Sequence, residues 1–134
     1  MKHSNKNIGV IFYGPPGSGK GTQAKLLADK LGLFHFDTGE YLRKSLHDPK
    51  FRKNKAIQKE RILNDKGKLN TPSFVLKIVS QRVAGLLKLK QSIVFSGSPR
   101  TFFEAFGAKK TKGLMDVLEK GYAKKNIFIF FMDV

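Results

Sequence analysis

Short apolar runs alternate along the chain with stretches of helical spacing. NIGVIFYG, residues 7–14, is an unbroken apolar run closed by glycine, the pattern of a strand buried on both faces. TQAKLLADKLG then places Ala24, Leu27, Ala28 and Leu31 at helical spacing, with Gly32 as the expected C-terminal cap. LFHF reads as a second short strand, and His35 within it as a packed core histidine. DTGEYLRKSL opens another helix, which Asp37 or Thr38 can cap. The run from Asp48 to Lys68 is charged and breaks at Pro49. In TPSFVLKIVSQRVAGLL, Thr71 is the predicted N-cap and Pro72 the first helical residue, while Val75, Leu76, Val79, Val83 and Leu86 share one face. QSIVFSG predicts a third buried strand, TFFEAFGAKK and GLMDVLEKGY two helical pieces, and NIFIFFMDV a fourth strand. Phe102, Phe103 and Phe106 have helical spacing and are expected in the core.

Apolar runs alternating with helices imply an α/β fold, a doubly wound parallel sheet with helices on both faces, because parallel strands need crossover connections. At 134 residues the chain suffices for one domain with a real core. NIFIFFMDV is too apolar for an exposed tail, and with no helix after it the sheet reads as truncated after the fourth strand. The chain has no cysteine, which excludes a disulfide framework and a thiolate zinc site and fits a reducing, cytoplasmic setting. Its apolar runs are too short for a secretory h-region or a membrane span, so no membrane partner is expected. A net charge of +16 attracts polyanions, with much of the excess between Arg43 and Lys68. Two readings of that excess stand side by side: a solvated lysine-rich face, and an anion-attracting surface. Nucleic acid as a partner rests on charge alone and is the weaker expectation.

GPPGSGKGTQAKLL, residues 14–27, sits directly between the first strand and its helix. There, backbone N–H groups and a helix N-terminus can surround phosphate oxygens, glycines let the backbone approach closely, and Lys20 can reach the terminal phosphates. Gly21 stands where the common P-loop pattern has Ser or Thr, and Thr22 follows one place late.

That loop, together with FHFDTGEYLR, GKLNTPSFVL and FSGSPRTFFEA in the same order, resembles the adenylate kinases and their nucleoside monophosphate kinase relatives. The resemblance runs from Ile8 to Val134. It implies a P-loop nucleoside triphosphate hydrolase-like core, single but incomplete over 1–134, with residues 38–72 as a small helical monophosphate-binding insertion. It also implies that Gly17, Ser18, Gly19, Lys20, Gly21 and Thr22 hold ATP, with Thr22 meeting Mg²⁺. Thr38 matches a residue facing the acceptor base, and Arg43 and Arg100 match arginines that clamp its phosphate. Lys68, Leu69, Asn70, Gly97, Ser98 and Glu104 fall on the AMP pocket. Lys20, Arg43 and Arg100 are the expected catalytic residues, since phosphoryl transfer asks the protein mainly for alignment and charge neutralisation.

Plainer readings accompany some of these. Arg43 also reads as one more surface charge, Arg100 as a structural residue, and Thr38 as a simple cap. The sequence departs from the family pattern in three places. Ser96 replaces a metal-supporting aspartate, leaving Glu40 to share that load through water. Glu104 replaces a glutamine that reads adenine, and Asn70 replaces an apolar residue. The family's lid and C-terminal segment have no counterpart in these residues. The expected reaction is ATP + AMP to two ADP with Mg²⁺. Alternatives are another nucleoside monophosphate as acceptor, a nucleotide-binding module with negligible turnover, and a separate polypeptide that completes the lid.

Overall fold

The computed structural model describes residues 7–133. Val134, the last residue of the expected fourth strand, lies outside the described residues, as do residues 1–6. The elements run β1 (Gly9–Tyr13), α1 (Lys20–Leu31), β2 (Phe34–Phe36), α2 (Thr38–Leu46), a 3₁₀ turn (Pro49–Phe51), α3 (Lys55–Asp65) and α4 (Pro72–Lys88). They continue with β3 (Ile93–Phe95), α5 (Phe102–Phe106), a hairpin of β4 (Gly107–Ala108) and β5 (Thr111–Lys112), α6 (Leu114–Tyr122), a second 3₁₀ turn (Lys124–Asn126) and β6 (Ile127–Phe131).

β2, β3, β1 and β6 form one parallel sheet in that spatial order, so β1 lies between two strands that arrive more than eighty residues later in the chain. Apolar side chains cover both of its faces. On one, Ala24 and Ala28 of α1 close over Val10 and Val94; the small alanines let the helix approach the strands. On the other, the predicted stripe of α4 packs with Leu114, Leu118 and Tyr122 of α6 over Ile11, Phe36, Ile93 and Phe95. Val75, Leu76, Val79, Val83 and Leu86 are all buried, as their spacing requires. Phe128, Ile129, Phe130 and Phe131 of β6 remain exposed, and only one edge of that strand is paired among the described residues.

Local signals account for most helix ends. Gly32 adopts φ 71° after α1, and its N–H returns to the Ala28 carbonyl. Asp37, rather than Thr38, caps α2, its Oδ1 accepting from the Glu40 N–H at 3.2 Å. Asn54 caps α3 in the same way through the Ile57 N–H at 3.1 Å.

Five expectations need correction. Thr71 occupies the N-cap position of α4 but does not cap it; its hydroxyl donates instead to Glu60 Oε2 at 2.6 Å. A carboxylate is the stronger acceptor, so the tertiary bond displaces the local one. Leu31 is exposed, because α1 needs only its alanines and the half-buried Leu27 against the sheet. The piece TFFEAFGAKK is helical only to Phe106, where Gly107 turns to φ 71° and begins the hairpin. In so short a helix only one side can face inward: Phe103 packs against the core, while Phe102 and Phe106 stack on each other in solvent at 4.9 Å between centroids. His35 is half-buried and makes a polar contact at the edge of a cleft, described below, so it is not a packed core histidine.

Candidate active site

Parallel strands β1, β2 and β3 deliver their carboxyl ends to one side of the sheet, and the candidate residues collect there. After β1 the chain turns through Gly17 at φ 81° and Gly19 at φ 87°, left-handed backbone that glycine adopts without strain. α1 starts immediately afterwards. Its first N–H to find a carbonyl inside the turn is that of Gln23, bonding to Gly19 at 3.0 Å. The N–H groups of Lys20, Gly21 and Thr22 have no carbonyl a turn earlier to bond, so this end of α1 offers donors and a partial positive charge outward. The Ser18 hydroxyl oxygen is buried in the loop with no partner among the described residues.

Lys20 faces a cavity of about 620 Å³, lined also by Tyr13, Pro15, Ser96, Gly97, Arg100 and Phe131. One lysine and one arginine thus converge from two strands on a space large enough for a nucleotide's phosphates. A second, more open cavity of about 1010 Å³ lies on the α2 side, where Thr22, Lys25, His35, Asp37 and Glu40 meet.

The loop after β3 is tightly built. Ser98 is joined to Pro99 by a cis peptide, and its hydroxyl shares a 2.6 Å hydrogen bond with Thr38 Oγ1; both residues are buried. Arg100 Nε donates to the Gly97 carbonyl at 2.8 Å, which fixes the guanidinium against the start of α2. Gly97 is required by this closeness, since a Cβ there would stand 3.3 Å from Arg100 Nη2 and from Thr38 Cβ and N. Ser96 shares a 2.7 Å hydrogen bond with His35 Nε2, so its hydroxyl already has a protein partner. Glu104 is buried beside the loop, its Oε2 accepting from the Arg100 N–H at 3.4 Å. Burial pushes its carboxyl above the usual range, against the opposing N–H and charge of Arg100.

The remaining candidates are placed differently. Glu40 is exposed and paired with Lys44 at 2.9 Å; that hydrogen bond and the lysine charge hold its carboxyl below the usual range. Arg43 is exposed on α2, on the far side of the helix from buried Leu42 and Leu46. Lys68 and Leu69 are exposed, whereas Asn70 turns away from solvent. Its Nδ2 donates to the Glu60 carbonyl at 2.9 Å and to Glu60 Oε1 at 3.0 Å, and its Oδ1 accepts from Asn64 at 3.0 Å. The Asn70 side chain is therefore spent on joining α3 to the segment before α4.

Sequence reasoning missed Tyr13, Phe131, Asp37 and the His35–Ser96 pair as cleft components. The neighbouring motif positions mark the ends of strands, but nothing local signals that His35 meets a serine sixty-one residues away.

A sequence model of the adenylate kinase family matches residues 12–133. The chain belongs to the adenylate kinase family. It is 32% identical over 121 residues to an adenylate kinase of Francisella philomiragia, covering 90% of this chain and 53% of that relative. It is 39% identical over 111 residues to an adenylate kinase of Prochlorococcus marinus, covering 83% and 54% respectively, and 36% identical over 120 residues to one of Wigglesworthia glossinidia brevipalpis, covering 89% and 52%. The chain thus spans about half the length of the curated relatives it matches. Family membership makes the glycine-rich turn, the lysine and the β3 loop parts of a phosphotransferase core. Among the described residues no helix of this family member is long and apolar enough to cross a membrane.

Proposed function

We propose that this chain carries the catalytic core of a nucleoside monophosphate kinase that moves the γ-phosphoryl group of ATP to AMP, giving two ADP. The observation that carries the reading is the convergence of Lys20 and the α1 N-terminus with Arg100 on one cavity. In this reading the Pγ bond to the β–γ bridging oxygen breaks as an oxygen of the acceptor's α-phosphate bonds to Pγ. The acceptor is already anionic, so no general base is needed, and the work is alignment and charge neutralisation.

The residues divide accordingly. Gly17 to Thr22 wrap the donor phosphates with backbone N–H groups, and the buried, unpartnered Ser18 hydroxyl has a donor to spare there. Lys20 meets the transferring group as a point charge. Arg100, held by Gly97, presents its guanidinium fork to the acceptor phosphate. Arg43, free to swing from the surface of α2, closes on the same phosphate. Residues 38–72 form the helical monophosphate-binding insertion, with Thr38, Gly97, Ser98 and Glu104 on the acceptor side and the backbone of Lys68 to Asn70 at its far wall.

Mg²⁺ fits the donor set of the second cavity. Thr22, Asp37 and Glu40 line it and offer oxygen ligands only, the type that magnesium takes beside phosphate oxygens and waters. No three His, Cys, Asp or Glu side chains cluster for a metal among the described residues, so the nucleotide would complete the site. Ser96 contributes least, because His35 already holds its hydroxyl. When bound, the ion would neutralise charge on the donor phosphates.

The test is ADP formation by this chain from Mg-ATP with each nucleoside monophosphate, together with ATP affinity. Lys20→Ala should weaken ATP binding at least tenfold and abolish acceptor-dependent ADP formation. ATP affinity untouched by Lys20→Ala would overturn the assignment of the cradle; Lys20-dependent ATP binding without transfer would leave a nucleotide-binding module, or a core that needs a separate polypeptide as lid. One observation favours a different acceptor: Glu104 offers a carboxyl at the base-reading position.

A further inference from the structure

We propose that Glu104 chooses the acceptor base by its protonation state, matching adenine as the neutral acid and guanine as the carboxylate. The inference rests on the acceptor site proposed above. Glu104 is 6% exposed on α5, next to the Arg100 loop that packs on Thr38 and Gly97. Its single protein hydrogen bond is the long one from the Arg100 N–H, and it belongs to none of the ion pairs among the described residues. Hydrogen-bonding capacity is therefore left over at a buried carboxyl, which a ligand can use.

The two protonation states present different edges. A neutral carboxyl carries one O–H donor beside one acceptor oxygen, whereas the ionised group carries acceptors only. Adenine offers the N1 acceptor beside the N6 amino donor, which the neutral acid complements in two bonds. Guanine offers N1–H and the N2 amino group as adjacent donors, which the carboxylate complements in two bonds. Each state mismatches the other base by placing donor against donor or acceptor against acceptor, and a bidentate match of this kind discriminates about tenfold or more.

The surroundings place this choice where pH can act on it. Burial raises the carboxyl above its usual range, opposed by the N–H and the positive charge of Arg100. α5 packs against α4 and α6, yet Lys77, Arg82, Lys88, Asp116, Glu119 and Lys120 on those helices exert no resolved pull on Glu104; Arg100 is the charged side chain that does.

Affinities of AMP and GMP for the chain, measured by calorimetry at about pH 5 and about pH 8, test the proposal. Ionisation of the phosphate is common to both ligands and cancels in their ratio. The AMP-to-GMP affinity ratio should fall about tenfold or more between the two conditions. E104Q keeps the shape and the donor-plus-acceptor pattern without the proton, so it should prefer AMP equally at both. An NMR titration of the Glu104 carboxyl in the unmodified chain gives a readout of sign. By linkage, AMP should raise its pKa and GMP should lower it. A ratio that stays flat, or pKa shifts of the same sign with both ligands, overturns the proposal and leaves the kinase reading intact. Failure of both nucleotides to bind at either pH overturns the two together.

Discussion

Replacing Glu60 by alanine removes the acceptor that joins α3 to the chain entering α4. The carboxylate takes three hydrogen bonds: from Asn70 Nδ2 at 3.0 Å, from the Thr71 N–H at 2.9 Å and from the Thr71 hydroxyl at 2.6 Å. Bonds to a charged acceptor contribute about 1.5–3 kcal/mol each in isolation. The sum overstates the loss, since Asn70 keeps its 2.9 Å bond to the Glu60 carbonyl and exposed Thr71 can turn to water. A cost of about 2 kcal/mol remains, roughly 8 °C in Tm for a domain of this size. Burial raises the Glu60 carboxyl, but the bonds from Thr71 and Asn70 outweigh it and leave the group below its ordinary value of 4.5. A depressed carboxyl stabilises the fold fully above its unfolded value and loses that contribution as pH falls through the folded one. Urea unfolding of both proteins at about pH 7 and at successively lower pH should show a difference near 2 kcal/mol that shrinks in acid. A difference under about 0.5 kcal/mol at neutral pH, or one that does not change with pH, would refute this account of the join.

Two further substitutions probe the loop after β3. Thr38→Val leaves the buried Ser98 hydroxyl without its 2.6 Å partner and should cost about 1–3 kcal/mol in urea unfolding, with much of it recovered when Ser98→Ala is added. Gly97→Ala puts a methyl group 3.3 Å from Arg100 Nη2 and from Thr38, so it should weaken AMP binding severalfold while ATP affinity, measured on the same sample, changes little.

Periodicity made the layers legible. The α4 stripe from Val75 to Leu86 and the apolar runs of β1 and β3 are dictated by local pattern, and all are buried as their spacing demands. The phosphate loop was legible for the same reason, because its strand and helix flanks are visible on either side. Expectations failed where a distant group outcompeted a local rule. Thr71 has the residue type and position of a cap, yet Glu60 lies within reach only after α3 has folded back on α4. The spacing of Phe102 and Phe106 marks a common stripe but cannot say whether that stripe faces the core or solvent. The short β4–β5 hairpin has too few residues for any pattern, and its onset depends on the single backbone angle of Gly107. Asn70 was read from its place in a motif, whereas its side chain obeys the acceptors around it.

The strand order carries a cost in time. Every pairing in the sheet is parallel: β1 must wait for β3 and β6, and β2 for β3, so no ladder forms between strands adjacent in the chain. The bond from the Ile8 N–H to Ser92 Oγ spans 84 residues, and the Thr38–Ser98 contact spans 60. Such long loops must close before the contacts that reward closure exist, which slows folding and prolongs exposure of the apolar strands. A nucleotide that bridges the loops after β1 and β3 would select chains that have already made those closures. At a concentration one hundred times its Kd, a ligand that binds only the folded form adds about 2.7 kcal/mol of stability. For a sheet assembled wholly from distant segments, the substrate would thereby serve as a tether as well as a reactant.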